Sequence, residues 1–284
     1  MNEQSLRDKL SQIAQIRGEV FNETWHTFVL ERFLARLAQS EHRTSFIFKG
    51  GFLLGRYVDL GRETKDLDFL FKQEIFHKEK IEQTLREVTT IDLNDGLVFV
   101  FVALGVLKHP HMKIPGFQAT LQAQLGRMRE PLSLDIGFGD LAEPVEKNIE
   151  LLKSKGKALF EESVSLVVYS PETIFAEKLQ TAVLRGQSNS RMKDYFDLLK
   201  LAESGILKNS LLRKTLRATF LHRQTELSAL PLNFSTDHSA QLQNYWDIFL
   251  RNFKGRPQKP PQNFAEVIAK INTFLIANSI LQED

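Results

Sequence analysis

Lys49-Gly50-Gly51-Phe52-Leu53-Leu54, followed after a short spacer by Arg62-Glu63-Thr64-Lys65-Asp66-Leu67-Asp68-Phe69-Leu70-Phe71, is the stretch that decides the fold of this 284-residue chain. Asp66 and Asp68 alternate with Leu67, Phe69 and Phe71, so the segment reads as a strand with one buried apolar face. Residues i and i+2 of a strand point the same way, roughly 6–7 Å apart at the backbone. Two carboxylates therefore project together from one sheet face. Like charges held that close repel, and a cation between them relieves the cost. Oxygen-only ligands favour Mg²⁺, with Mn²⁺ as the alternative, and such an ion keeps positions open for water and phosphate oxygens.

The upstream half of the stretch supplies the complement. Gly50-Gly51 follows the apolar run Phe46-Ile47-Phe48 and precedes a segment that reads as a short helix over 51–59. Two glycines at such a junction let the backbone approach a ligand closely. The new helix start then offers unpaired N–H groups to an anion. A Gly-Gly pair alone also fits an ordinary turn, and an Asp-x-Asp pair alone also fits a solvated strand end. In the order strand, Gly-Gly, helix, strand with Asp-x-Asp, they point together to a nucleotide held with a metal ion.

Composition sets the outer bounds. A hydrophobic content of 42% with 25% charged residues is that of a soluble globular protein, and the length allows one large or two smaller domains. Phe is abundant at 22 copies, which predicts an aromatic core. No apolar run reaches the length of a membrane span, and no secretory leader is read at the start. Cys is absent, which excludes disulfides and thiolate metal sites and suits a cytoplasmic protein. The net charge of +2 is uneven: residues 205–260 carry nine Lys/Arg against three acids, a local balance of +6. A basic C-terminal region beside an acidic pair suits a polyanionic substrate, and equally a solvated helical face.

Periodicity predicts helices over 3–18 and 22–39, the second capped by Asn22, with Arg32 and Arg36 one turn apart and facing solvent. Strands are expected at 46–48, 66–71, 97–107, 117–125, 132–138 and 164–169, and a polar helix at 76–90. His109-Pro110-His111 reads as a surface loop rather than a metal site. Ser170-Pro171-Glu172 is a helix-start signature. Beyond it only helices are expected: 171–185, 189–203, 208–223, 239–253 and 263–280, with Gly255–Asn263 as a proline-rich linker. The chain thus divides into a mixed α/β lobe over 1–169 and an all-helical lobe over 170–284.

Three further features carry chemistry. In Leu132-Ser133-Leu134-Asp135-Ile136-Gly137-Phe138-Gly139-Asp140, Asp135 sits on a strand face otherwise held by small residues. If that strand lies beside the Asp66–Asp68 strand, three carboxylates converge, and Asp135 completes a metal site or serves as base for an attacking hydroxyl. Asp140 reads as a turn residue. Lys178, among Phe175, Ala176, Leu179 and Ala182, can neutralise a triphosphate as a point charge, or snorkel like any helix-surface lysine. Asp194 shares a helix face with Arg191 and can orient Lys178 or Arg191. No Walker-type loop, Gly-x-Ser-x-Gly or dinucleotide fingerprint is present.

The order KGG, RxTxDLDF, LDIGFGD, SPETIFAEKL and RMKDYFDL resembles the AbiEii/AbiGii-type nucleotidyltransferase toxins of bacterial toxin–antitoxin and phage-abortive-infection systems. The resemblance spans roughly Phe46 to Leu199. It implies an α+β fold: a DNA polymerase β-type nucleotidyltransferase core with a mixed sheet, then a helical C-terminal lobe. It implies that Lys49, Gly50 and Gly51 hold the triphosphate and that Asp66 and Asp68 bind Mg²⁺. Asp135 joins them as metal ligand or base, Lys178 and Asp194 act across a cleft, and Arg62 and Thr64 contact the nucleotide. Many polymerase β-type enzymes have Gly-Ser where this chain has Gly50-Gly51. That change removes one hydroxyl contact and keeps the backbone donors. The implied reaction moves a nucleotide from a nucleoside triphosphate to an acceptor, a tRNA 3′ end being the leading one, with a cognate antitoxin as partner and no membrane role. A metal-dependent nuclease, nucleotidylation of a protein, and a non-catalytic nucleotide-binding protein are the alternatives.

Overall fold

The computed structural model describes residues 3–72, 77–107, 116–140, 143–253 and 259–282. In chain order its elements are α1 (Glu3–Arg17), α2 (Phe21–Gln39), β1 (Phe46–Lys49), α3 (Gly50–Leu54), β2 (Asp66–Phe71), α4 (Lys78–Thr89), β3 (Val98–Leu107), β4 (Gly116–Leu125), β5 (Met128–Gly137), β6 (Val145–Glu150), β7 (Lys153–Ser154), β8 (Lys157–Ala158) and β9 (Ser163–Val168). Five helices follow: α5 (Pro171–Arg185), α6 (Met192–Glu203), α7 (Asn209–His222), α8 (Thr236–Asn252) and α9 (Phe264–Ala277). Packing divides the chain into two units. One holds residues 1–56, 64–139 and 144–168; the other holds 57–63, 140–143 and 169–284. Two short segments thus belong by packing to the helical unit although they precede it in sequence.

The first unit is built on a seven-stranded sheet of order β3-β4-β5-β2-β1-β9-β6. The sheet is mixed: β2 runs parallel to β5 and β1 parallel to β9, and the other neighbours are antiparallel. β2 is central because both of its faces gain cover toward its end. Leu67, Phe69, Leu70 and Phe71 are all buried, while Asp66 is exposed and Asp68 half-buried. The predicted aromatic core is present. Phe46, Phe69 and Phe71 pack edge to face, and Phe71 continues to Phe138 and Phe117. Each fully buried aromatic ring contributes about 1.5–3 kcal/mol through burial alone. α2 covers the face that carries Leu67 and Leu134, shown by the edge-to-face contact of Phe33 with Phe99 and by the 2.7 Å contact of His26 with Glu130 of β5. The carboxylate-bearing face is the opposite one.

Several local expectations are corrected. Arg32 and Arg36 do not face solvent; both side chains are 1% exposed. Arg32 donates to Asp95 at 2.6 Å and pairs with Glu161, while Arg36 makes two 2.8 Å bonds to Asp95 and a third to the Leu97 carbonyl. Helical spacing correctly put the two arginines on one face, but their shared anion lies 59 residues from Arg36 and brings that face inward. Burial pushes the Asp95 carboxyl up, and the two guanidiniums outweigh it and hold it below its ordinary value. Asn22 does not cap α2; the cap position is Val20, with no side-chain cap bond. β6 and the β7–β8 hairpin were not read from the sequence, because β6 (Val-Glu-Lys-Asn-Ile-Glu) offers only one fully buried side chain, Ile149. α3 is a single turn rather than a helix over 51–59. The His109-Pro110-His111 loop lies outside the described residues, as do 254–258 of the Gly255–Asn263 linker.

The helical unit begins as predicted. Ser170 caps α5, accepting from the Thr173 N–H at 3.1 Å, with Pro171 at the first position. Asn263 caps α9 in the same manner. α5 packs on α6 and α7, and α9 packs on α6 and α8. Trp246, fully buried, ties α8 to the Pro261 carbonyl at 2.8 Å.

Removing the shared anion of the α2 arginines tests the sheet unit. Asp95→Ala leaves two buried guanidiniums without it, and the expected cost is about 3–5 kcal/mol. Urea denaturation measures it; a loss below about 1 kcal/mol contradicts the role assigned to Asp95.

Candidate active site

Strand alternation places the sheet-unit candidates. Asp66 and Asp68 project from the same face of β2, two residues apart. β5 lies beside β2 in parallel, in the register Asp66 opposite Ser133 and Asp68 opposite Asp135. On the other side, Lys49 at the end of β1 is opposite Asp68. Asp68 is thus flanked across the sheet by Lys49 and Asp135. On β4, Gln118 is opposite Asp135, and its side-chain amide donates to Asp135 Oδ1 at 2.9 Å. Gln118 was not read as a site residue, although its place in the alternation of β4 contained the signal.

Gly50 makes the closest approach. Its backbone is left-handed, at φ +75°, and a Cβ there would stand 1.8 Å from Asp68 Oδ2. The carboxylate occupies the space a side chain would need. Glycine is required at residue 50 on both counts, conformation and room. Gly51 follows it in the single turn of α3. His26 fixes the approach to the pair from the other end: one ring nitrogen contacts the Lys65 carbonyl at 2.8 Å and the other contacts Glu130 at 2.7 Å. Thr64, where the chain re-enters this unit, is half-buried.

The donor set is made of oxygen and is hard, which suits a divalent cation such as Mg²⁺. Among the described residues, no group of three or more His, Asp or Glu side chains stands placed to hold a metal ion. The expectation that three carboxylates converge therefore takes a narrower form: Asp66 and Asp68 share a face, and Asp135 stands in register beside them with one oxygen held by Gln118. Two carboxylates are what a Mg²⁺ site uses when substrate phosphates supply further ligands.

The helical unit carries a second cluster. Lys178 on α5 donates to Asp194 Oδ1 at 2.6 Å and contacts Asp197 Oδ2 at 2.9 Å. Arg191 bonds the other Asp194 oxygen at 2.5 Å. Asp194 therefore engages both cations that the sequence offered as alternatives. Arg62, from the excursion 57–63, grips Asp197 through Nε at 3.0 Å and a terminal nitrogen at 2.8 and 2.6 Å. Asp194 and Asp197 are 5% and 0% exposed, and Lys178 is 15% exposed. Burial pushes Asp194 up, and the charges and hydrogen bonds of Lys178 and Arg191 outweigh it and hold it at about 2. Burial likewise pulls Lys178 down, and the two carboxylates outweigh it and hold it above the ordinary lysine value. Lys178, Arg62 and Arg191 thus meet at two carboxylates, Asp194 and Asp197. Asp197 had been given no role of its own; its i,i+3 spacing from Asp194 was the available signal.

Two other readings change. Asp140 is not a simple turn residue: it accepts from Arg223 at 2.8 and 3.1 Å, and Arg223 also contacts Glu177 at 2.9 Å. Arg223 is thereby removed from the solvated basic face expected over 205–260. Lys214 pairs with Glu143, while Arg213 and Arg217 reach the carbonyls of Ser279 and Gln282.

Comparison with known proteins bears on these arrangements. The family model described as "Nucleotidyl transferase AbiEii toxin, Type IV TA system" matches residues 32–270. A Helicobacter pylori protein whose crystal structure is described as that of a candidate nucleotidyltransferase aligns at TM-score 0.52 and 15% identity, covering 91% of this chain and 97% of that one. The crystal structure of JHP933 from Helicobacter pylori aligns at TM-score 0.50 and 14% identity, covering 90% and 91%. At such identities the likeness is one of fold. Among curated proteins there is no significant match.

Two glycine replacements separate strain from collision. Gly18 shares the left-handed backbone, at φ +63°, but a Cβ there meets nothing within 4 Å. Gly18→Ala is expected to cost about 1–2 kcal/mol from strain alone. Gly50→Ala adds the displacement of Asp68 and is expected to cost a further 1–3 kcal/mol. Equal losses in urea denaturation would contradict the Gly50–Asp68 contact.

Proposed function

Because the chain belongs to the AbiEii family of nucleotidyl transferase toxins from type IV toxin–antitoxin systems, and is thus a nucleotidyltransferase with a nucleotide substrate and an antitoxin partner, we propose that it transfers a nucleotide from a nucleoside triphosphate to the 3′ hydroxyl of an RNA, a tRNA foremost, at Asp66 and Asp68. The observation that carries this reading is the register of β1, β2 and β5: a left-handed Gly50 pressed on Asp68, with Asp135 opposite that carboxylate.

The acceptor hydroxyl oxygen attacks the α-phosphorus. A new P–O bond forms, the bond to the β-phosphate oxygen breaks, and pyrophosphate leaves. Asp135, oriented by Gln118, receives the hydroxyl proton. Gly50 and Gly51 bring backbone within reach of the phosphates, and Lys49 lies opposite Asp68 where the triphosphate enters. The chemistry that bound Mg²⁺, or Mn²⁺ in its place, supplies at such a pair is neutralisation of charge on the attacked phosphate and the leaving oxygen. Thr64 is a nucleotide contact in this reading. In this reading Lys178, Asp194 and Arg62, all members of one ion-pair cluster of the helical unit, are residues that the reaction needs. The exposed Lys208, Lys214, Arg251 and Lys259 of the helical unit suit an RNA acceptor, whose binding then weakens steeply with salt. No helix among the described residues is long and apolar enough to cross a membrane, and we place the reaction in the cytoplasm, where tRNA is found. A role in phage defence follows from the same reading.

Incubation of the protein with each α-labelled nucleoside triphosphate, Mg²⁺ and total tRNA is the test. Label on RNA is the expected result, and Asp68→Ala is expected to lower it at least a thousandfold while melting as the parent does. Shortened RNA would indicate a nuclease and label on protein would indicate protein nucleotidylation. Either outcome, or nucleotide binding without transfer, overturns the RNA-transfer reading.

A further inference from the structure

Asp66 is the first residue of β2, where strand pairing is thinnest. The ladder with β1 ends at the Lys49–Asp68 pair, two residues short of it, and the ladder with β5 begins only at Asp66 itself, opposite Ser133. In sequence, Thr64 and Lys65 alone separate it from 57–63, which pack with the other unit. A side chain at a strand end turns with its backbone unless the peptide before it is fixed from outside the ladder. His26 reaches that peptide. Its Nε2 stands 2.8 Å from the Lys65 carbonyl oxygen, and a carbonyl only accepts, so Nε2 carries the hydrogen and donates. Nδ1 contacts Glu130 Oε1 of β5 at 2.7 Å. Engaged at both nitrogens, the ring is fixed in its plane. Its support is stiff as well: on α2 it lies between the buried, stacked Trp25 and Phe28, and the helix is fastened through Arg32 and Arg36 to Asp95.

We infer that His26 is a positioning residue for Asp66. The Lys65 carbonyl and the Asp66 N–H lie in one rigid peptide plane. Holding that oxygen holds the backbone nitrogen of Asp66, and with it the direction that the Asp66 carboxylate shares with Asp68. This rests on the reading above that the two carboxylates hold a divalent cation with a nucleoside triphosphate. An ion such as Mg²⁺ demands near-ideal geometry, so a carboxylate free to turn binds it less well. His26 acts through the backbone and is not itself a ligand. The other role open to a His–Glu contact is to staple α2 to β5. For a staple the partner that matters is Glu130, at Nδ1. For positioning it is the Lys65 carbonyl, at Nε2, and Glu130 only steadies the ring. The two ring nitrogens therefore separate the two roles.

His26→Gln places an amide donor near the position of Nε2 and gives up the contact at Nδ1; His26→Asn does the reverse. Binding of Mn²⁺ to the full-length protein with a non-hydrolysable nucleoside triphosphate, followed by electron paramagnetic resonance, compares them, with turnover and melting temperature measured in parallel. His26→Asn is expected to weaken Mn²⁺ binding about tenfold and to lower kcat by a similar factor, with an unchanged KM for RNA. His26→Gln is expected to stay within about twofold of the parent in both. His26→Asn that binds Mn²⁺ as the parent does, or His26→Gln as impaired as His26→Asn, overturns the proposal. If His26→Asn melts too low to assay, His26→Leu, which fills the space without a donor, takes its place against His26→Gln. A parent whose Mn²⁺ binding survives loss of both Asp66 and Asp68 fails the reading of the site itself, whereas a normal parent beside an unimpaired His26→Asn fails only the positioning role.

Discussion

The Cβ that any residue but glycine would carry at position 50 and the carboxylate of Asp68 claim the same small volume. A Cβ at residue 50 would stand 1.8 Å from Asp68 Oδ2. The left-handed turn at the end of β1 and the acidic strand β2 are therefore not two motifs that happen to be neighbours. Each is shaped by the other. The antiparallel register puts Lys49 opposite Asp68, and the parallel register puts Asp135 opposite Asp68 one strand further on. The aromatic packing of Phe46, Phe69, Phe71 and Phe138 beneath β2 holds the strand where this closeness is possible. A core of interlocked rings is stiff, and stiffness is what two adjacent carboxylates need if repulsion is not to push them apart.

The same problem, charge placed in low-dielectric surroundings, is solved three more times. Arg32 and Arg36 share Asp95; Lys178 lies between Asp194 and Asp197; Arg223 joins Asp140 to Glu177. In each case burial opposes the charged form and a close partner outweighs it. The first network fastens the helix α2 that backs the sheet. The second and third fasten the excursions 57–63 and 140–143 to the helical unit. Arg62 and Asp140 are the residues that make those excursions worth their connection.

Much of the fold was legible because period-2 and period-3.6 patterns report burial directly. The strand with Asp66 and Asp68, the strand with Asp135 and the five C-terminal helices all carry one apolar face that alternation or helical spacing reveals. The partnership of β2 with β5 is not legible in the sequence, because local patterns carry no register between strands as distant as those of Asp66 and Ser133. What escaped was pairing over distance. Arg32 and Arg36 read as a solvated like-charge pair because nothing local announces Asp95. Asp197 received no role because its partner Arg62 lies 135 positions away. β6 was missed for a different reason: its alternation is dominated by Glu and Lys, which an edge strand tolerates and a pattern search discounts. Family resemblance implied roles for Lys178 and Asp194, but not that one lysine is held by two buried carboxylates.

The central claim is that Asp66 and Asp68 hold a divalent cation together with a nucleoside triphosphate. Titration of Mn²⁺ into the protein, followed by electron paramagnetic resonance with and without a non-hydrolysable nucleoside triphosphate, addresses it without requiring an identified acceptor. Protein-bound Mn²⁺ and nucleotide are expected to strengthen each other's binding at least tenfold, and an Asp66→Asn, Asp68→Asn double variant is expected to lose that coupling. Nucleotide binding that is indifferent to the ion, or coupling that survives the double variant, would contradict the claim.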